Sequence, residues 1–199
     1  MSHLRRLFAL IALLAFFLSD RRPTIALDVS HWAEIEHRSP SVPRTLVDLV
    51  AERPQFRNLM YHRLWHGNAA GRVLGRICFL ILPKERTLFL NTHAIGPGLY
   101  IQHGFATIVG AQMIGPRVWI SQQVTIGTTV TDGTTINRPT IEEGASIGAG
   151  AKVIGDVRIG RDATVGAGAV VTHDVPDGMV AVGVPAVARA RGRNARARA

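Results

Sequence analysis

The sequence has a single cysteine, Cys78, in 199 residues, which excludes an internal disulfide and any zinc site built on several thiolates. A chain so poor in cysteine suits a reducing compartment, and the cytoplasm is the expected location. Glycine is missing from the first third: all 20 glycines stand at or beyond Gly67, 17 of them from Gly96 onward. The two halves therefore follow different rules, with a border near residue 94. Acidic residues are few, giving a net charge of +9 and a pI near 11.3. That excess lies at the ends. Residues 1–22 carry four Arg against Asp20, residues 188–199 carry five Arg and no acid, and the stretch from Ile95 to Val187 has five basic against seven acidic residues. A nucleic-acid interface needs cations clustered on the packed domain, so none is expected.

No apolar run has the length of a comfortable membrane span. The longest, Leu7 to Leu18, follows Arg5-Arg6 in the manner of a signal peptide, but Ser19-Asp20-Arg21-Arg22-Pro23 replaces a small-residue cleavage site. Residues 4–19 thus read as a retained helix, packed on the protein or lying at a membrane surface. Three more helices are expected: one opened by Pro23-Thr24 through Trp32 and Ile35, one from Ser41 to Arg53-Pro54, and one carrying Phe56, Leu59, Met60 and Leu64 up to Gly67. Gly71 to Pro83 is ambiguous between helix and strand.

The glycine-rich half shows neither a 3.6 nor a 2.0 period; it repeats every six residues. Aliphatic residues lead at Ile114, Ile120 and Ile126, then at Ile141, Ile147, Val153, Ile159, Val165 and Val171. Four residues after each lead stands Val or Ala, from Val118, Val124 and Val130 to Val175. Two residues after each lead come Pro116, Gln122, Thr128, Glu143, Ala149, Gly155, Arg161, Ala167 and His173, where an alternating strand of a sandwich would stay apolar. The chain turns there. Three six-residue sides close an 18-residue coil, and stacked coils bury the leads as ladders, so a parallel β-helix is expected. Ile95 and Ile101 begin an earlier coil, with one extra residue before Ile108 around His103, and Ile126 to Ile141 requires three extra residues within 132–140.

On these residues the segment from Ile95 onward resembles the left-handed β-helix of hexapeptide-repeat acyltransferases. The strings IQHGFATIVG from Ile101, VTIGTT from Val124, IEEGASIGAGAKVIGDVRIG from Ile141, VGAGAVVTHDVP from Val165 and VGVPA from Val182 are similar in order and spacing to serine acetyltransferases. The resemblance implies a mainly β fold with a helical N-terminal segment, divided as 1–94 helical, 95–187 β-helix and 188–199 basic tail. It implies a homotrimer and direct acetyl transfer from acetyl-CoA, a co-substrate, to a small-molecule hydroxyl acceptor.

Such transfer needs a base for the hydroxyl proton, and imidazole suits neutral pH. His103, in the Gln-His-Gly corner, matches the family's catalytic histidine. Gly127 and Thr128 match its glycine-threonine corner, Ala149 and Ala167 its small residues along the pantetheine arm, and Lys152 is a candidate for a CoA phosphate. Departures are also evident. The family's Asp-x-His-Pro is here Asn91-Thr92-His93-Ala94, and Asn91 can hold a tautomer but cannot stabilise imidazolium as a carboxylate does. The acidic residue before the catalytic histidine is Gln102. The family's Arg-His-Pro loop appears as Asn137-Arg138-Pro139, which leaves Arg138 as a carboxylate ligand for the acceptor. Serine is the first acceptor expected and a glycan hydroxyl the alternative; a non-catalytic scaffold is the third reading. The chain ends in Arg-Ala where the family carries the isoleucine that it inserts into cysteine synthase, so no such complex is expected. His62 and His66 are four apart, but no Glu follows His62 as in H-E-x-x-H, so a surface or packed pair and no metal is expected.

Overall fold

The computed structural model describes residues 2–192. The chain forms two compact units, one running up to Leu90 and including Pro97–Phe105, the other comprising Asn91–Gly96 and the chain from Ala106 onward. The expectation about the chain's final residues and cysteine synthase falls on 193–199, outside the described residues.

The first unit contains five helices: α1 (Ser2–Leu18), α2 (Arg22–Ile35), α3 (Val42–Glu52), α4 (Pro54–Trp65) and α5 (Ala69–Ile81), followed by strand β1 (Leu88–Leu90). The ambiguous stretch from Gly71 is thus helical. Asn68 caps it by accepting the Gly71 N–H at 2.9 Å, a start signal that the three glycines nearby conceal in the sequence. Prolines at the first positions of α2, α3 and α4 start those helices where their missing N–H costs nothing. Helix α1 packs on α3 and α5. Its face of Ala9, Ala12, Ala15 and Phe16 is buried, and Leu7, Leu10 and Leu14 remain exposed. Among the described residues no helix is long and apolar enough to cross a membrane.

Trp32, Leu46, Leu49, Phe56, Leu59 and Tyr61 form the core of this unit, with Trp32 edge-on to Phe56 at 5.2 Å and tilted on Tyr100 at 4.6 Å. Cys78 is buried, and desolvation pushes its thiol up to about 11, so it is a packing residue rather than a nucleophile. The rings of His62 and His66 lie 4.4 Å apart, and no group of three metal-ligating side chains forms among the described residues.

The second unit is a solenoid of short parallel strands. Strands β2 (Ala94–Ile95), β5 (Met113–Ile114), β10 (Thr140–Ile141) and β13 (Arg158–Ile159) stack on one face, and Val175 bridges to Ile159 above them. A second face stacks β6 (Trp119–Ile120), β11 (Ser146–Ile147), β14 (Thr164–Val165) and β16 (Val180–Val182). A third stacks β4 (Thr107–Val109), β7 (Thr125–Gly127), β12 (Lys152–Ile154) and β15 (Val170–Val171). The register makes three aliphatic ladders: Ile95, Ile114, Ile141, Ile159 and Val175; Ile120, Ile147, Val165 and Ala181; Val109, Ile126, Val153 and Val171. All are buried. A shift of one residue would turn each ladder outward, which fixes the register.

The regular period misplaces two residues. Val109, not Ile108, aligns with Ile126, and Ile108 is 43% exposed. The irregularity around His103 therefore inserts one residue more than the expected register allowed. Val130 stands four residues after its lead, where the other coils bury Val or Ala, but it is 61% exposed, because β8 (Thr129–Thr131) and β9 (Thr135–Asn137) leave the coil as an antiparallel hairpin. Strand β17 (Val187–Arg189) pairs antiparallel with β16, carrying ordered strand structure past residue 187.

Within the first unit, the segment Pro97–Phe105, which contains β3 (Tyr100–Ile101), is tied to the helices by buried polar groups. Asp28 forms an ion pair with Arg63 at 2.9 Å and accepts the Gly98 N–H at 2.6 Å. The Trp32 indole donates to the Leu99 carbonyl at 2.8 Å. Burial raises the Asp28 carboxyl above its ordinary value, opposed by the Arg63 guanidinium and by the Gly98 and Leu99 N–H groups. Replacing Asp28 by Ala would strand the buried Arg63 cation, a loss of about 3–5 kcal/mol. Urea denaturation of Asp28→Ala is expected to show that drop, and a midpoint equal to the parent's would mean that the pair holds nothing.

Candidate active site

His103 stands in a tight turn of the first unit. Its φ is +63°, and the Gly104 N–H donates to the Gln102 carbonyl at 2.7 Å across it. This i to i+2 closure with a positive central φ is the rare and strained form of γ-turn. The imidazole is exposed as a result. Backbone strain of this kind persists only where its surroundings over-determine it, and Gly104 shows how they do. Its φ is +72°, and a Cβ there would lie 3.0 Å from Gln55 Cβ, 3.0 Å from Ile101 Cγ2 and 3.3 Å from Leu88 Cδ2. Helix α4, β1 and β3 thus close around the turn and leave room for hydrogen alone.

Asn91 lies in the second unit. Its N–H donates to the Val109 carbonyl at 2.8 Å, and its side chain is exposed. The next residue, Thr92, is buried, with its hydroxyl between the carbonyls of Val109 and Ala111. The backbone of Asn91-Thr92 is therefore fixed on the coil while the amide stays outside.

The remaining candidates also belong to the solenoid. Ala149 and Ala167 stack on one corner above Gln122: the Gly150 N–H donates to the Gln122 carbonyl at 3.0 Å, and the Gly168 N–H to the Ala149 carbonyl at 2.8 Å. The coils approach closely here, since a Cβ on Gly148 would lie 2.7 Å from the Ala167 nitrogen. This corner is a smooth ridge of backbone and methyl groups, along which an extended chain could run. Gly127 pairs with Ile154 across β7 and β12, and Thr128 beside it is exposed where the hairpin leaves the coil. The Lys152 ammonium donates to the Gln123 carbonyl at 2.8 Å; a carbonyl does not neutralise it, and two of its three donors remain. Arg138 follows β9, half-buried, and forms no ion pair among the described residues. A guanidinium without a carboxylate partner can still accept one from a ligand.

The family model of the bacterial transferase hexapeptide (six repeats) matches residues 138–173. A serine acetyltransferase of Neisseria gonorrhoeae is similar in structure over 86% of this chain and 67% of its own, with 25% identity and a TM-score of 0.62. Soybean serine acetyltransferase is similar over 84% of this chain and 68% of its own, with 29% identity and a TM-score of 0.61. The chain is thus similar in structure to serine acetyltransferases and carries the hexapeptide repeat of bacterial transferases. Its fold is the expected left-handed parallel β-helix with a helical N-terminal part. The serine acetyltransferase of Brucella abortus, at 23% identity with a TM-score of 0.63 over 85% of this chain and 69% of its own, shares that fold. A search of curated proteins by sequence returned no match.

Sequence reasoning missed the turn itself. A Gln-His-Gly string identifies a corner, but the positive φ at a histidine depends on α4 and β1, which are remote in sequence. Because Gly104 is enclosed, Gly104→Ala should cost about 1–3 kcal/mol through strain and crowding and turn the imidazole away. Denaturant titration beside an activity assay checks this; a variant equal to the parent in both would show that the turn accepts a side chain.

Proposed function

We propose that the protein is an O-acetyltransferase that moves acetyl from acetyl-CoA to a hydroxyl, with L-serine as its first acceptor. The observation that carries this reading is His103, held outward by a strained turn in a chain whose fold is that of serine acetyltransferases. His103 takes the acceptor's hydroxyl proton as the oxygen attacks the thioester carbonyl. The imidazolium so formed returns that proton to the departing CoA sulfur, so no acyl-enzyme is needed. Asn91 orients the ring without adding charge stabilisation, Arg138 receives the serine carboxylate, and the Ala149–Ala167 ridge with Gly127 and Thr128 supports the pantetheine arm, while Lys152 meets a CoA phosphate. A homotrimer would complete a groove from neighbouring copies, and α1 could rest on a membrane surface through its exposed leucines.

A glycan hydroxyl is the second reading, favoured by Asn91 in place of the family's aspartate. Release of free thiol from acetyl-CoA with serine and with a panel of glycans decides between them. His103→Ala should lower kcat by on the order of a hundredfold or more, and a loss of less than about threefold would remove His103 from the role of base. Arg138→Ala should raise the KM for serine about tenfold or more while changing kcat little. If it leaves serine KM unchanged, the carboxylate assignment fails and an uncharged acceptor is preferred. No thiol release with any acceptor would leave the scaffold reading.

A further inference from the structure

The helical unit contains a concavity lined by none of the proposed acyl-transfer residues. A cavity of about 550 Å³ opens beside Pro54, the first residue of α4, and is also lined by Arg5, Arg57, Lys84 and Arg86. Its single acidic lining residue, Glu85, is turned to Thr87, whose N–H and hydroxyl donate to its carboxylate at 3.0 and 2.8 Å. None of the four cations forms an ion pair among the described residues.

Arg57 gives the cavity its meaning. It is only 4% exposed, and its Nε meets no acceptor among the described residues. Burial and the neighbouring Arg5 charge both lower its guanidinium from the ordinary value. An unpaired buried cation is expensive, and an evolved fold keeps one where something anionic answers it. The end of α4 reinforces this: no side chain caps it, and its first turn carries no acid, so its free N–H groups and positive dipole end also favour an anion.

We propose that this cavity binds a phosphate ester, with Arg57 as the buried anchor and Lys84 and Arg86 closing on the phosphate from the rim. Four cations and a helix N terminus exceed what one carboxylate would neutralise, whereas a doubly charged phosphate suits them. The volume exceeds that of a phosphate alone, and Phe8, Ile81 and Leu82 supply an apolar wall for the organic body of the ester. Its source is either a soluble metabolite or a lipid headgroup; α1, which contributes Arg5 and Phe8, leaves Leu7, Leu10 and Leu14 exposed in the manner of an interfacial helix.

The test is calorimetric titration of the full chain with phenyl phosphate at matched ionic strength, alongside co-sedimentation with phosphatidylcholine vesicles with and without phosphatidic acid. Saturable binding of phenyl phosphate indicates a soluble ester, and binding only to vesicles containing phosphatidic acid indicates a headgroup. Either should weaken at least tenfold in Arg57→Met. The rim variant Lys84→Ala/Arg86→Ala, on exposed or half-exposed positions, should also weaken it severalfold and serves if Arg57→Met does not fold. His103→Ala should leave binding intact, which separates this site from acetyl transfer. Absence of binding to both probes, or binding equal to the parent's in the folded site variants, overturns the proposal.

Discussion

The ion pair between Asp28 and Arg63 is the constraint on which residues 97–105 of the first unit rest. Both side chains are buried; each Asp28 oxygen accepts from Arg63, and Oδ1 also accepts the Gly98 N–H. A carboxylate removed from water is stable only when its lone pairs are all used. Here their use dictates where residues 97–105 must run. Trp32 adds a second tie at Leu99, leaving the segment no freedom to slide along α2. The strained turn at His103 comes next in the chain. An apolar pair could fill the same volume, but it would not specify the direction of a backbone N–H, and direction is what the turn requires.

The solenoid solves the opposite problem with almost no buried polarity. Its three ladders are aliphatic, its small residues occupy the corners, and its backbone hydrogen bonds run from coil to coil. Charge is confined to the outside, where Arg158 reaches both Glu142 and Asp177 at 2.7 Å. Such exposed pairs add little to stability. They do neutralise two of the acids of the coil, Glu142 and Asp177. Its rigidity comes from register, since each inward residue has an inward residue above and below it.

The legibility of the fold followed this division. A six-residue period is a local property repeated many times, so the β-helix and most of its ladders could be read directly from Ile114 to Val171. The period failed at Ile108 and Val130, the two places where the chain departs from the coil, because an insertion is decided by what packs around it. Helix α5 was ambiguous for a similar reason: its cap, Asn68, is a single side chain acting on Gly71. At the candidate site, residue types were legible, and their presentation was not. His103, Asn91, Arg138 and Lys152 stand out as chemical groups, but the positive φ of His103 arises from Gln55 and Leu88 against Gly104, contacts that no spacing encodes.

The charge of the chain shows how composition alone can mislead. A net charge of +9 first reads as a surface property, but its important part is a matter of pairing. Arg6 and Arg38 meet Glu52, Arg53 meets Glu36, and Arg63 meets Asp28, so these cations are spent within the fold. Arg5, Arg57, Lys84 and Arg86 are left without ion pairs around one cavity. Random placement of surplus cations would put them far apart and in water, where solvation keeps them inexpensive. One of these is instead buried at a helix N terminus, where both its own desolvation and the helix dipole are unfavourable to a positive charge. The same geometry is favourable to a negative one. These four cations therefore act as a local field directed at a ligand.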